Sequence, residues 1–424
     1  MVNNLSSSLK KMSMNFGKIY AGQKPAFISR ASGRVEIIGG HTDYNEGFVI
    51  AAAIDSSTFV AAAPRTDNII CLYSEWAKQK HEFELPAFAG TSLPLRKQGP
   101  ALEPSQDCQW ANYGRGVAAY LCQELSPATC GQGLPPAQVR GLKGANLYIA
   151  SYVPVGAGLS SSAALEVSLA KAMIHVSKPD WQIQPKRLAQ ICQKAENVYA
   201  KSPCGILDQI TAVTATKDHV ILLDCRDVSV MLLPFDSNAC SIMIFNSMVK
   251  HEIGGGEYGK RRRQCEQACA VIAQKYPQVK ALRDADQAML DSVKNQLDNI
   301  QFLRASHVIG ENARVLAAAE ALKQNDIEKL GRLMNESHYS ARDLYQISCE
   351  QTDFLAEQIW QSDGAYGARL CGGGFGGSVV ALVQPDAAAK ITKKVRKAYK
   401  DRFNLDCDVY LAKPWQGTEI IDPA

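Results

Sequence analysis

Apolar residues recur along this chain with two periods, and their alternation predicts a mixed α/β fold. Short dense runs bounded by glycine or polar turns read as strands: 27–30, 35–38, 48–54, 145–153, 219–223, 241–246 and 378–383. Runs with three- and four-residue apolar spacing read as helices: 9–16, 109–124, 165–175, 185–199, 257–273 and most of 280–362. Residues 125–144 are rich in proline and glycine and read as a loop or insertion rather than a linker between independent domains. A chain of 424 residues is long enough for two or more cores, since single cores stop growing near ~250–300 residues.

The densest chemistry lies at 154–165, Pro-Val-Gly-Ala-Gly-Leu-Ser-Ser-Ser-Ala-Ala-Leu, between a predicted strand and a predicted helix. Such a turn aims unpaired backbone N–H groups and the positive end of a helix dipole at one spot, which is an anion site. Gly156 and Gly158 let the main chain approach a phosphate. Ser160, Ser161 and Ser162 add hydroxyls, and Ser162 also lies within reach of a metal ion. A plain serine-capped helix needs one serine, not three behind two glycines. No Gly-Lys-Ser/Thr follows, so this is not a Walker loop, and the charge must be neutralised without its lysine.

A second stretch, 33–45, runs Gly-Arg-Val-Glu-Ile-Ile-Gly-Gly-His-Thr-Asp-Tyr-Asn. A strand breaks at Gly39-Gly40, and His41, Asp43 and Asn45 crowd the loop. They can converge on a polyol, or merely close an Asx turn. Asp208 follows Gly205 in an apolar setting and reads equally as a structural carboxylate or a positioned acid/base group. Trp110 and Tyr113 share one helical face, which is more often core than a stacking platform. Residues 368–377, Ala-Arg-Leu-Cys-Gly-Gly-Gly-Phe-Gly-Gly, form a glycine-dense turn implying close backbone approach. The run 260–263 reads as a solvated helical face.

Composition narrows the class. Hydrophobic content of 46% and charged content of 21% are those of a globular protein. A net charge of +4 gives no case for nucleic acid or membrane as partner. The 13 cysteines are scattered without C-x-x-C pairs and read as reduced thiols. With no leader and no apolar run long enough to span a bilayer, a cytoplasmic protein is expected. Nothing in the pattern requires an oligomer.

Taken in order, 33–45, 154–164 and 370–377 resemble the three motifs of the GHMP small-molecule kinases. Trp110-Ala-Asn-Tyr113, Cys204-Gly-Ile-Leu-Asp208-Gln209, Leu223-Asp-Cys-Arg226, Glu257-Tyr258, Glu336-Ser-His338 and Arg342-Asp343 narrow the resemblance to the galactokinase family, over about residues 16–383. The resemblance implies a two-lobed α/β (α+β) fold, lobes 1–235 and 236–424, with a left-handed βαβ unit and the active site in the cleft. It implies an ATP-dependent sugar 1-kinase using Mg²⁺. Pro154, Gly156, Gly158, Leu159, Ser160, Ser161, Ser162 and Ala163 would wrap the ATP phosphates, and Trp110 and Tyr113 would flank the adenine. Ser162 and Glu196 would hold the metal. Asp208 would take the proton of the anomeric hydroxyl, with Arg34 beside it keeping it ionised. Glu36, Gly40, His41, Asp43, Gly205 and Tyr258 would line the sugar.

Two positions depart from the family motif, Gly-Arg-x-Asn-x-Ile-Gly-Glu-His-x-Asp-Tyr. Glu36 stands for its asparagine, and Gly40 for its glutamate, which contacts the sugar's hydroxymethyl end. Loss of that acceptor costs ~0.5–1.5 kcal/mol, more where it is charged. Gly40 is expected to remove charge and volume there, favouring galacturonate, a pentose such as arabinose, or a substituted galactose; Glu36 reaching back as a replacement acceptor is the other possibility. Three readings stay open: a galactose 1-kinase, a sugar 1-kinase of altered carbon-six specificity, and a galactokinase-like sensor.

Overall fold

The computed structural model describes residues 5–86, 102–125, 141–202, 204–249 and 256–423; most of the 125–144 loop and residue 203 lie outside them. Among the described residues, strands β1 (Phe27–Ile38), β2 (Phe48–Pro64), β3 (Ile69–Ser74), β4 (Gln79–Glu84), β5 (Ala145–Ser151), β6 (His219–Asp224), β7 (Ser229–Pro234), β8 (Ser241–Asn246), β9 (Ala365–Cys371), β10 (Ser378–Val383), β11 (Asp408–Ala412) and β12 (Thr418–Ile421) build two sheets. The first runs β12-β1-β2-β5-β3-β4, with β6 on β2 and β7 on β6; the second runs β11-β8-β10-β9. The β3–β5 pair is parallel.

The helices are α1 (Leu5–Ile19), α2 (Asn112–Glu124), α3 (Ser161–Ser177), α4 (Pro185–Tyr199), α5 (Leu207–Thr214), α6 (Glu257–Lys275), α7 (Gln287–Asp291), α8 (Asn299–Lys323), α9 (Ile327–Ser340), α10 (Glu350–Trp360) and α11 (Ala388–Phe403). Helix α3 lies against β1, β2 and β5, and α2 and α4 pack on α3, in one core that includes Leu72, Val117, Leu147, Val167, Met173 and Ile191. Helix α3 is apolar nearly all round, as a fully buried helix must be. A second core joins the two sheets, with Val35, Ile37 and Ile50 meeting Ile242, Ile244, Val315, Leu330 and Val380. Each such buried side chain contributes ~1.5–3 kcal/mol of transfer free energy, so the seam between the sheets is a packed core.

Several expected boundaries move. The runs 27–30 and 35–38 are one strand, because Gly33 does not turn the chain. A Cβ there would sit 2.7 Å from the Leu159 carbonyl oxygen, so the glycine serves a close approach. Helix α3 begins at Ser161, not near 165, and residues 368–371 belong to β9, leaving only 372–377 as the turn. The last strand returns to pair with β1, so the chain after 236 is not confined to one sheet.

Candidate active site

Two irregularities on β1 aim its side chains. Its register with β2 shifts between Ser32 and Arg34 and again between Glu36 and Ile38. Bulges of this kind re-aim side chains beside active sites. Val35, Ile37 and Ile38 enter the core, while Arg34 and Glu36 share the opposite pleat face. Arg34 Nε donates to Asp208 Oδ1 at 2.8 Å and Nη2 lies 2.6 Å from the same oxygen. Asp208 sits in the first turn of α5, where the helix dipole favours an anion. Ser160 Oγ donates to its other carboxylate oxygen, Oδ2. Ser160 makes no side-chain cap of α3, so the plain-cap reading fails.

Arg34 also ties down the loop before α3. Its Nη1 donates to the Gly158 carbonyl oxygen at 2.6 Å and its backbone N–H to Leu159 at 3.1 Å. From the other sheet, Ser378 Oγ donates to the Ala157 carbonyl oxygen at 2.7 Å. Gly156 and Gly158 have φ of 75° and 70°, which the left-handed region reserves for glycine. Leu159 and Ala163 are buried and Val155 is exposed, so one wall of the loop packs while its crest faces outward. Pro154, Ser161 and Ser162 are half-buried at its ends.

At the foot of α3, Ser162 lies near Glu196, whose carboxyl is raised chiefly by burial. Gln209 Nε2 donates to Glu196 Oε2 at 2.7 Å and to Glu166 Oε2 at 3.1 Å. Burial, then the Glu196 charge, pushes Glu166 well up. Among the described residues no three His, Cys, Asp or Glu side chains gather as a metal cage. Magnesium needs none, since it is held by one or two carboxylates plus substrate phosphates, and this hard-oxygen donor set fits it. Tyr113 faces the same carboxylates and is pushed up to about 12, chiefly by burial. Trp110 Nε1 donates to Gln79 Oε1 on β4 at 3.2 Å.

The loop after β1 forms the other end. Asp43 stands in a 3₁₀ turn, half-buried, and a Cβ on Gly205 would strike its Oδ2. Burial, then Glu36 and Asp208, push Asp43 up to about 6. His41 has φ of 62°, packs 4.9 Å from the Tyr345 ring, and its Nδ1 lies 2.9 Å from the Tyr44 hydroxyl. Burial holds it down at about 3, a neutral imidazole at physiological pH. The Tyr258 side chain lies outside what the structure describes.

Gly40 corrects the expectation of an enlarged, uncharged pocket end. A Cβ there would lie 2.6 Å from Arg369 Nη2 and 3.5 Å from Glu36 Oε1. The space is filled by a guanidinium, and a carboxylate remains close by.

The residues 14–64 match the galactokinase galactose-binding signature, 112–216 the GHMP kinases N-terminal domain, and 318–401 the GHMP kinases C-terminal model. Galactokinase of Roseiflexus sp. (strain RS-1) is 38% identical over 95% of both chains. The chain belongs to the galactokinase family. The Homo sapiens galactokinase is 36% identical over 94% of this chain and 93% of its own. The crystal structure of Lactococcus lactis galactokinase complexed with galactose superposes with TM-score 0.83 at 28% identity, covering 97% of this chain and 99% of that one. Methanococcus jannaschii mevalonate kinase, at TM-score 0.58 and 15% identity over 91% and 98%, shares the fold alone. Membership in the galactokinase family makes the chain a sugar kinase that uses ATP. No helix among the described residues is long and apolar enough to cross a membrane.

Sequence reasoning missed Glu311 and His307, and gave no role to Arg369, Ser337 and Gln209 although each lies in a motif quoted above. Arg369 carried a signal, a charge inside an apolar strand run. The others lie on regular helices where their polarity reads as surface.

Proposed function

We propose that the chain transfers the γ-phosphoryl group of ATP to the anomeric hydroxyl of D-galactose, giving galactose 1-phosphate and ADP. The observation that carries this is the Asp208 carboxylate, fixed by Arg34 on one oxygen and by the phosphate-loop Ser160 on the other. A base so close to the phosphate loop can take the sugar proton as the anomeric oxygen attacks phosphorus and the bridging oxygen leaves with ADP. Phosphoryl transfer has a loose transition state, so positioning and charge neutralisation supply most of the acceleration. Arg34 contributes both. It holds the Asp208 carboxylate and grips the loop through the Gly158 oxygen.

In this reading Pro154, Gly156, Gly158, Leu159, Ser161, Ser162 and Ala163 cradle the phosphates, while Trp110 and Tyr113 flank the adenine. Ser162 and Glu196 hold Mg²⁺, which when bound neutralises charge on the phosphate oxygens. His41, Asp43, Gly205, Tyr258 and Glu36 line the sugar beside Gly40. The cleft is that between lobes 1–235 and 236–424, with β12 returning to the first. The described cysteines are all free, which supports a cytoplasmic protein.

Galactose is favoured by the match of 14–64 to the galactose-binding signature and by the likeness to a galactose complex. A uronate gains no lone cation at that end, because the Arg369 guanidinium there is already paired with Glu36. A sensor is disfavoured because Arg34, Ser160–Ser162 and Asp208 are all present. An ADP-release assay over galactose, galacturonate, arabinose, galactosamine and N-acetylgalactosamine tests the reading. Galactose should have the highest kcat/KM; turnover of none of these sugars, with ATP still bound, overturns it.

A further inference from the structure

Residues 36 and 40 depart from the galactokinase motif together, and the structure joins them through a third residue. Arg369 Nη1 donates to Glu36 Oε1 at 2.8 Å, its Nε donates to Ser337 Oγ at 3.0 Å, and its side chain is 2% exposed. Its Nη2 fills the spot that a residue-40 side chain would enter. Ser337 donates to Glu311 Oε1 at 2.6 Å, and Glu311 accepts from the Gly39 N–H at 3.0 Å. His307 Nε2 meets the Gly40 carbonyl oxygen at 3.1 Å. Strand β9 and helices α8 and α9 thus clamp the Gly39-Gly40 turn around one buried guanidinium. Two carboxylates, Glu36 and Glu311, balance that guanidinium electrostatically. Glu36 Oε1 would lie 3.5 Å from a Cβ on Gly40, so it borders the Gly39-Gly40 turn.

We infer that the Glu36–Arg369 pair is the specificity-determining element at the hydroxymethyl end of the sugar, standing in for the carboxylate that position 40 lacks. The inference rests on the galactose 1-kinase reading above. One carboxylate has moved from the loop to the neighbouring strand, and Arg369 fills the space it left. The two departures are therefore one coupled exchange. A glutamate at 40 would strike Arg369 and crowd a second carboxylate against Glu36. An asparagine at 36 would leave a buried guanidinium short of its partner.

The test compares wild type with E36N, G40E, the E36N/G40E double variant and the near-isosteric E36Q. Thermal midpoint, kcat and KM are measured on galactose, on L-arabinose (galactose without its hydroxymethyl group) and on galacturonate. Each single variant should raise galactose KM roughly tenfold or more and lower the midpoint. The double variant should recover both to near wild type. E36Q should erode discrimination between galactose and arabinose by roughly tenfold, in KM rather than kcat, and improve galacturonate relative to galactose. A double variant as impaired as the product of the singles overturns the inference, as does an E36Q protein with unchanged discrimination. Where the single variants do not fold, E36Q and the double variant carry the decision. If wild type phosphorylates no sugar, the galactokinase reading fails by itself. The midpoints then judge the coupling of 36 and 40, and additive midpoints overturn it.

Discussion

In the sugar site proposed above, Asp43 is where pH enters. Its carboxyl titrates at about 6, pushed up by burial and then by Glu36 and Asp208, so it takes a proton where an ordinary aspartate stays ionised. A protonated Asp43 loses an acceptor for sugar hydroxyls. Galactose KM should rise by roughly tenfold as pH falls through about 6, a step visible in initial rates. Stability runs the other way. The unfolded group titrates near 3.8, so between 3.8 and about 6 the folded chain binds more protons, and this group's contribution to stability falls as pH rises through that window. Asp43→Asn should therefore raise stability at neutral pH by on the order of 1–3 kcal/mol, seen as a higher thermal midpoint, while abolishing the step in KM. A lowered midpoint with the step intact would refute the assignment. Asp208 answers to a different measurement. Asp208→Asn should cut kcat by ~10²–10⁴ yet leave galactose binding by calorimetry nearly unchanged; turnover within about tenfold of wild type would rule it out as the base.

The phosphate loop depends on close approach between elements more than on its own residues. Gly33→Ala would put a Cβ 2.7 Å from the Leu159 oxygen and 2.9 Å from Val153 Cγ1, forcing the loop off β1. Misplacing reacting groups by about 1 Å costs up to ~10² in rate. The variant should therefore show a higher KM for ATP and a lower kcat, with sugar binding largely kept. Nucleotide titration followed by steady-state kinetics separates the two. The loop's place between a strand and a helix was legible in the sequence, because its glycines and serines interrupt the apolar pattern between β5 and α3. The Arg34–Asp208 pair was not legible from spacing, since 174 residues separate its partners; only the family resemblance joined them. Arg369 was given no role because the glycines after it drew the reading toward backbone approach. Strand β4, Gln79–Glu84, escaped notice because only Phe83 of its six residues is buried. Gly33 misled in the opposite sense, looking like a break when it marks a contact.

At the scale of the whole molecule, residues 415–421 bind β1, β2 and α5 to one another. Strand β12 pairs with β1 from Ile28–Ile421 to Ala31–Thr418. Trp415 N–H donates to Ala53 on β2 and Gly417 N–H to Ala215 at the end of α5, each at 2.9 Å. Beneath them Arg30, 4% exposed, donates to Glu419 at 2.7 Å and lies 5.5 Å from the Trp415 ring. The segment thus touches β1, which carries Arg34, and α5, which carries Asp208. Truncation after Pro414 would open the edge of β1 and strip a buried guanidinium of its carboxylate. Uncovered edges invite pairing with other chains, and an orphaned buried charge costs ~3–5 kcal/mol. Against a typical total of ~5–15 kcal/mol, the truncated chain should melt at a clearly lower temperature and aggregate on heating. Saturating galactose and ATP should restore part of the loss, about 2.7 kcal/mol per ligand at a hundredfold excess over Kd, because the proposed site needs β1 and α5 docked. Glu419→Gln, which keeps the strand and removes the charge, should lie between truncation and wild type. A truncated chain with an unshifted midpoint would mean that β1 holds its position without this strand, and that Arg34 and Asp208 are kept together by the cleft alone.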